Sequence, residues 1–283
     1  MASGNLGNIC LREIQEKFEV GSVFTDKNSR DIISLAADNS FPCFIGNPRR
    51  GEAQKFLKEN SVDILLSINY LFLIEQDVLS WPSKAAVNFH GSLLPKYRGR
   101  TPHVWAIING ETMTGVTAHK MTLGCDEGEI VATKTIQIRE SDTGGILLER
   151  FTEIYPELIQ EVLISYKNDS VNPKPQDESR ATYFGKRTPQ DGLINWHWQK
   201  ERIRNWVRAQ ADPYPGAFTF INNTKVIIDR VAYVDYGFRQ SQPNGLILTE
   251  KPCMVKTPNG VLVLEEVREG KEALAKNGLF ETG

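Results

Sequence analysis

Cysteine is scarce and scattered in this chain. Cys10, Cys43, Cys125 and Cys253 form no CxxC pair, which argues against a thiolate zinc site or a disulfide framework and fits reduced thiols in a cytoplasm. The four histidines show neither HxxxH nor HExxH spacing, so no catalytic metal is expected. No apolar run approaches the ~20 residues of a membrane span. No basic, hydrophobic leader opens the sequence, so neither membrane insertion nor secretion is expected. Ser3-Gly4-Asn5-Leu6-Gly7 lacks the spacing of a dinucleotide fingerprint and reads instead as a tight turn into a helix over Ile9–Phe18. Charge of one sign is also missing: 33 basic side chains face 35 acidic ones. Up to Arg180 there are 19 Lys and Arg against 24 Asp and Glu, and after it 14 against 11, so the two parts carry −5 and +3. A long polyanion demands clustered Lys and Arg. This balance predicts no nucleic-acid partner, whereas a small ligand with one or two phosphates needs only a couple of arginines.

What is present suits two modest domains. The 283 residues, 40% hydrophobic and 24% charged, are enough to bury two cores. In the first half, strand-like runs (Val20–Phe24, Val62–Ile68, Ala85–Phe89) alternate with helical patterns (Arg30–Ala37, Gly51–Asn60). That alternation predicts a Rossmann-like, mostly parallel sheet flanked by helices, with ligands at the carboxyl ends of the strands. Thr143 to Tyr166 reads as one amphipathic helix, with Leu147, Phe151, Ile154, Leu158 and Val162 on one face and Pro156 expected to kink or split it. The polar, proline-bearing stretch Lys167–Arg180 has the composition of a linker. The boundary is therefore placed there: a catalytic domain over 1–180 and a β-rich domain over 181–283. The latter holds a helix over Gln199–Gln210 and four strand-like runs, Phe218–Ile221, Lys225–Tyr236, Gly245–Thr249 and Val261–Val267. With turns at Asn222-Asn223, Pro243-Asn244-Gly245 and Pro258-Asn259-Gly260, a small OB-like barrel or meander is expected.

The chemistry-bearing segment is Ala85–Ile130. It sets Asn88 and His90 two residues apart at the end of an apolar strand, with Asp126 downstream in a DEGEI turn. An imidazole, an amide and a carboxylate are the groups needed to pass an acyl group to an amine. NFHGSLLPKYRG, TGVTAHKM and D-x-G-x-I, in that order, resemble the formyltransferases that use 10-formyltetrahydrofolate. The resemblance implies that Asn88, His90 and Asp126 are catalytic. His90 takes the proton of the attacking amine, Asn88 donates to the formyl oxygen, and Asp126 orients His90 and favours the imidazolium. A supporting role is implied for His119, and a packed structural histidine is the other reading of that residue. Pterin recognition is implied for SINYLFLIEQDVL, hence Asn69, Tyr70, Leu71, Phe72 and Ile74, with Asp126, Glu127, Gly128 and Ile130 closing the pocket. The family's members open with a full buried strand, whereas this chain reaches SGNLGN by residue 3; either that first strand is nearly absent or the chain begins late.

The acceptor is read from the second half. ATYFGKRTPQDGLINWHWQKERIRNWVRAQADPYPGAF resembles the substrate-side region of sugar N-formyltransferases, particularly those acting on 4-amino sugars. Arg187, Arg204 and Arg208 offer planar donors for a pyrophosphate, and Trp196, Trp198 or Tyr214 offer faces to a base. Arg98 either contacts substrate or anchors its loop. The expectation is a cytoplasmic enzyme, able to pair as a homodimer, that formylates a dTDP- or UDP-linked 4-amino-4,6-dideoxy sugar for cell-surface polysaccharide such as lipopolysaccharide O-antigen. A methionyl-tRNA formyltransferase is the alternative, and a folate-dependent formyl hydrolase a weaker one.

Overall fold

The computed structural model describes residues 1–281. In chain order its elements are α1 (Gly4–Gln15), β1 (Val23–Thr25), α2 (Arg30–Asp38), β2 (Cys43–Ile45), α3 (Gln54–Glu59), β3 (Ile64–Ile68), α4 (Gln76–Leu79), β4 (Ala85–His90), β5 (Arg98–Gly99), α5 (Pro102–Ile108), β6 (Met113–Lys120) and β7 (Ile130–Gln137). There follow α6 (Gly144–Lys167), β8 (Tyr183–Phe184), α7 (Lys200–Gln210), β9 (Ala217–Ile221), β10 (Thr224–Val234), β11 (Ile247–Glu250), β12 (Cys253–Thr257) and β13 (Gly260–Glu269). The chain divides into two compact units that interleave in sequence. One takes Met1–Gly99, Thr114–Ile136 and Glu149–Phe184; the other takes Arg100–Met113, Gln137–Leu148 and Gly185–Gly283. This division differs from a single cut at Arg180. Lys167–Arg180 is part of the first unit, and two short excursions of the first half join the second.

The first unit is α/β. Its main sheet has the order β3-β4-β6-β7, with β3 parallel and β6 antiparallel to β4, and β1 and β2 form a separate parallel pair. Parallel strands are covered on both faces and so read as nearly continuous apolar runs, which is the character of Ile64-Leu65-Leu66 and Ala85-Ala86-Val87. One core cluster joins Leu11 of α1 and Val23 of β1 to Ile32, Leu35 and Ala36 of α2. A second gathers Phe24, Leu65 and Val78, with Phe44, Phe56 and Trp81 packed against them. Of the two outcomes expected at Pro156, the split does not occur: α6 runs as one helix from Gly144 to Lys167. Phe151, Tyr155, Leu158, Ile159 and Val162 are all buried, and burial of several large side chains, ~1.5–3 kcal/mol each, outweighs the ~3 kcal/mol of an interior proline. No helix among the described residues is long and apolar enough to cross a membrane.

The second unit centres on a five-stranded antiparallel sheet, β11-β12-β13-β10-β9, packed on α7, whose Ile203, Trp206 and Val207 are buried. The four strand-like runs of the sequence fall on β9, β10, β11 and β13. Strand β12 was not anticipated: Lys256 and Thr257 break its apolar pattern, yet both are buried, and the strand sits between two neighbours.

Candidate active site

Alternation along β4 sorts its side chains. Val87 and Phe89 are buried in the core, while Asn88 and His90, two residues apart, share the opposite face at the strand's carboxyl end. Across the antiparallel pairing Asn88 lies opposite His119 of β6, so the register delivers a third polar side chain beside them. Asp126 arrives from the loop after β6 in a left-handed conformation, φ +54°. All four side chains belong to the first unit.

Their contacts fix their hydrogen-bonding roles. His90 Nε2 lies 2.8 Å from the Tyr97 carbonyl oxygen, an atom that only accepts, so Nε2 carries the proton. The other nitrogen, Nδ1, faces Asp126 Oδ2 at 3.6 Å, too long for a hydrogen bond. His119 Nδ1 donates to the Lys120 carbonyl at 2.9 Å, which leaves Nε2 to accept from Asn88 Nδ2 at 3.1 Å. Asn88 Nδ2 also donates to Asp126 Oδ1 at 3.3 Å, and His119 Nε2 is 3.4 Å from the same oxygen. Both amide hydrogens of Asn88 are thus engaged. A hydrogen bond to a formyl oxygen, the role the sequence suggested, requires Asn88 to exchange one of these partners.

Burial lowers the pKa of His90, partly opposed by the Asp126 charge and the Tyr97 carbonyl; at neutral pH the ring is neutral, with its Nδ1 lone pair turned to the site. Burial works against ionisation of Asp126, but the positive charge that His90 takes on when protonated and the Gly99 N–H at 2.9 Å from Oδ2 hold it far below the ordinary carboxylate range. The pair is a neutral base next to a fixed negative charge, which favours protonation of His90 as a reaction proceeds.

A second layer positions Asp126. Gln176 Nε2 donates to the Asp126 carbonyl at 2.8 Å and the Gly128 carbonyl at 2.7 Å. Gln176 Oε1 accepts from Arg98 Nε at 3.2 Å and Nη2 at 2.8 Å. Arg98 has no exposed surface. It also forms a bidentate pair with Glu178, at 2.6 and 2.9 Å, and donates to Tyr183 Oη at 2.5 Å. Its donors are consumed within the protein, so Arg98 is an anchor and the substrate contact entertained for it is corrected. Tyr97, Gly99 and Gln176 had no assigned role in the sequence reading. Two of them act through backbone atoms and the third lay in the presumed linker; only the YRG glycine gave a signal. At Gly99, φ is +102° and a Cβ would lie 2.3 Å from the Phe184 carbonyl oxygen.

Parallel pairing of Ile68 with Phe89 makes the 69–74 loop start beside His90. Asn69, at φ +50°, donates to the Ser3 carbonyl. Tyr70 and Ile74 pack into the aromatic cluster around Phe24, and Tyr70 donates to the Gly46 carbonyl at 3.2 Å. Leu71 is 45% exposed, and Phe72 is half-buried against Tyr70. Leu71 and Phe72 therefore carry the apolar surface open to a ligand, while Tyr70 and Ile74 are largely structural. Glu127 is exposed and Ile130 half-buried. Gly128 is buried where a Cβ would stand 1.9 Å from the Lys120 carbonyl.

In the second unit Trp196 is fully buried, stacked on Phe280 and bonded through Nε1 to Thr219. It is core and cannot stack on a base, contrary to the expectation for it. Arg187 lies over the rings of Trp105 and Trp206 at 4.9 and 4.4 Å and bonds Gln210 Oε1 and the Asp191 carbonyl. Arg208 donates to the carbonyls of Arg139 and Asp142, and Arg204 to that of Glu140. Tyr214 Oη is 2.7 Å from His103 Nε2. These four remain half-buried. Among the described residues no group of His, Cys, Asp and Glu is arranged to hold a metal.

A buried neutral imidazole, a carboxylate and an amide stand together at the end of a parallel strand, groups that between them can accept a proton and donate to a developing charge. The sequence profile described as formyl transferase matches residues 7–163, and that described as formyl transferase, C-terminal domain, matches residues 186–282; the chain belongs to the formyl transferase family. The fold is shared with WlaRD, a sugar 3N-formyl transferase solved with dTDP and 5-N-formyl-THF, at TM-score 0.68 and 18% identity over 95% of this chain and 97% of that one. It is shared also with the N-formyltransferase from Helicobacter canadensis solved with folinic acid and dTDP-3-aminofucose, at TM-score 0.70 and 19% identity over 94% and 97%. Methionyl-tRNA formyltransferase from Clostridium thermocellum aligns at TM-score 0.56 and 19% identity over 88% and 98%.

Proposed function

We propose that this protein moves a formyl group from 10-formyltetrahydrofolate to the amine of a nucleotide-linked sugar, a dTDP- or UDP-linked 4-amino-4,6-dideoxy hexose. The carrying observation is the neutral, buried His90 with its free Nδ1 beside ionised Asp126 and Asn88 at the end of β4. In this reading His90 Nδ1 removes the proton of the attacking amine, and the charge of Asp126, 3.6 Å away, favours the imidazolium. Asn88 turns one amide hydrogen from its present partners to the formyl oxygen as negative charge develops there. The folate is the formyl donor and supplies the activated one-carbon unit. A flat heterocycle suits the loop over Asn69–Ile74, where Leu71 and Phe72 offer apolar surface next to backbone groups. The half-buried arginines Arg187, Arg204 and Arg208 with Tyr214 are the proposed contacts for the nucleotide.

Support for a sugar nucleotide over methionyl-tRNA comes from the near-neutral charge of the chain, −2, and from a fold nearer to the two sugar N-formyltransferases, at TM-scores of 0.68 and 0.70, than to the methionyl-tRNA formyltransferase, at 0.56. The product would feed cell-surface polysaccharide. The test is incubation with 10-formyltetrahydrofolate and a panel of dTDP-, UDP- and GDP-linked 3-amino and 4-amino sugars, methionyl-tRNA, and no acceptor, read by mass spectrometry. Gain of one formyl group on a 4-amino sugar nucleotide is expected. Gain only on a 3-amino sugar would move the amine, gain only on tRNA would replace the acceptor, and formate release without acceptor would make the enzyme a hydrolase.

A further inference from the structure

Strand β12 of the second unit carries a buried lysine. Lys256 is tied on both flanks: it pairs with Val261 of β13, its N–H donates to the Leu246 carbonyl at 3.0 Å, and its carbonyl accepts from the Gly245 N–H at 2.8 Å. Its neighbours Val255 and Thr257 are fully buried and Lys256 itself is only 3% exposed. An apolar side chain would suit such a position, whereas an ammonium is costly there unless it is paired. Among the described residues Lys256 has no carboxylate partner. Its Nζ donates to Asn244 Oδ1 at 2.7 Å and stands 5.2 Å from the centre of the Phe238 ring. Both partners are neutral, and burial lowers the lysine pKa.

The bond to Asn244 sets the polarity of the groups around it. With Oδ1 turned to the ammonium, Asn244 presents Nδ2 to His197 Nδ1 at 3.1 Å. The imidazole therefore accepts at Nδ1 and carries its proton on Nε2, which has no acceptor among the described residues. Gln242 turns Oε1 to the Arg239 N–H at 2.7 Å, so its NH2 group is the end left over. Lys256, Asn244, His197 and Gln242 line one cavity of about 480 Å³, together with Gln240 and an apolar side made by Pro243, Pro258, Leu279 and Phe280. No Asp or Glu lines it. The recess offers one positive charge, an imidazole N–H and amide donors, with no negative charge to balance them.

We propose that this recess binds the phosphoryl group of a small phosphorylated molecule. Its oxygens would accept from Lys256 Nζ, His197 Nε2 and the Gln242 amide, and its organic part would rest on Pro243, Pro258 and Leu279. Donors on three separate side chains suit a tetrahedral oxyanion better than a planar carboxylate, and lysine binds phosphate as a point charge. The bound dianion would give Lys256 the counter-charge that the fold does not provide. The recess shares no residue with Arg187, Arg204, Arg208 and Tyr214, the proposed nucleotide contacts, so the two can be tested apart.

Binding of inorganic phosphate, phenyl phosphate and benzoate to the whole chain would be measured by calorimetry, for the unaltered protein and for Lys256→Met, His197→Ala and Arg208→Met. Phenyl phosphate is expected to bind more tightly than inorganic phosphate, and benzoate about tenfold more weakly than phenyl phosphate. Lys256→Met should weaken phenyl phosphate about tenfold or more and His197→Ala about fivefold, with Arg208→Met unchanged. Methionine removes a buried charge, so Lys256→Met without ligand should melt at or above the unaltered protein, and phenyl phosphate should raise the midpoint of the unaltered protein only. Should Lys256→Met not fold, His197→Ala, on an exposed side chain, carries the same test. No binding of either phosphate, binding indifferent to Lys256 and His197, or binding lost only in Arg208→Met would overturn the site, and benzoate binding as tightly as phenyl phosphate would overturn the phosphoryl class. These readouts are independent of formyl transfer.

Discussion

In the proposed reaction His90 acts with one nitrogen held by a carbonyl and the other left open, an arrangement with a measurable pH signature. Burial lowers its pKa below the ordinary ~6.5 of histidine, so the acid limb of kcat/KM should bend below pH 6.5. A limb at or above that value in a pH–rate profile would contradict the assignment. Gln176 supplies a finer test, because it touches neither His90 nor any reacting atom but holds the Asp126 and Gly128 carbonyls. Gln176→Ala should lower kcat by about tenfold with little change in KM. With Asp126 less firmly held, its charge raises the His90 pKa less, so the acid limb should move to lower pH; a purely structural loss would leave it in place. Asn88, His90 and Asp126 were legible in sequence because strand period and motif order place them together. Gln176 and Tyr97 were not, since one reaches the site from residues away in the chain and the other offers only a carbonyl. Arg98 and Trp196 misled for one reason: a sequence shows a guanidinium or an indole but not that neighbours have already consumed it.

Elements set the precision of the site. β4 carries the pair and β6 pairs antiparallel to it, while β5 supplies the Gly99 N–H that fixes Asp126. β5 lies in parallel register with β8, Gly99 opposite Phe184, so closely that only hydrogen fits. Gly99→Ala should therefore cost ~1–3 kcal/mol in stability and lower activity more than that loss of folded protein explains, because the Asp126 donor moves. Thermal melts with kcat measured well below the midpoint separate the two effects. Most helices and strands were readable from periodicity, including α2, β3, β4 and α7. The failures have physical causes. β12 hides its register behind a buried lysine, and α6 survives Pro156 because its packed face outweighs one missing hydrogen bond.

At the scale of the molecule, buried neutral histidines make stability depend on pH. His103 is buried with its pKa lowered to about 4, against ~6.5 in the unfolded chain. The unfolded state therefore binds the extra proton first as pH falls. Stability is fully present above pH ~6.5 and is lost progressively toward pH 4, by ~3 kcal/mol from this group; His90 acts in the same direction. Thermal midpoints should fall through that window, and His103→Gln should flatten the slope. A two-part organisation was readable from composition, but the interleaving of 100–113 and 137–148 with the second unit was not, because these excursions carry no linker composition. The most direct test of the account is transfer of a ¹³C-labelled formyl group from 10-formyltetrahydrofolate to amino-sugar nucleotides by the unaltered protein and by His90→Asn. The account predicts label on the sugar amine for the former and a rate ~10²–10⁴-fold lower for a folded His90→Asn. Full transfer by His90→Asn, or label recovered only as formate, would contradict it.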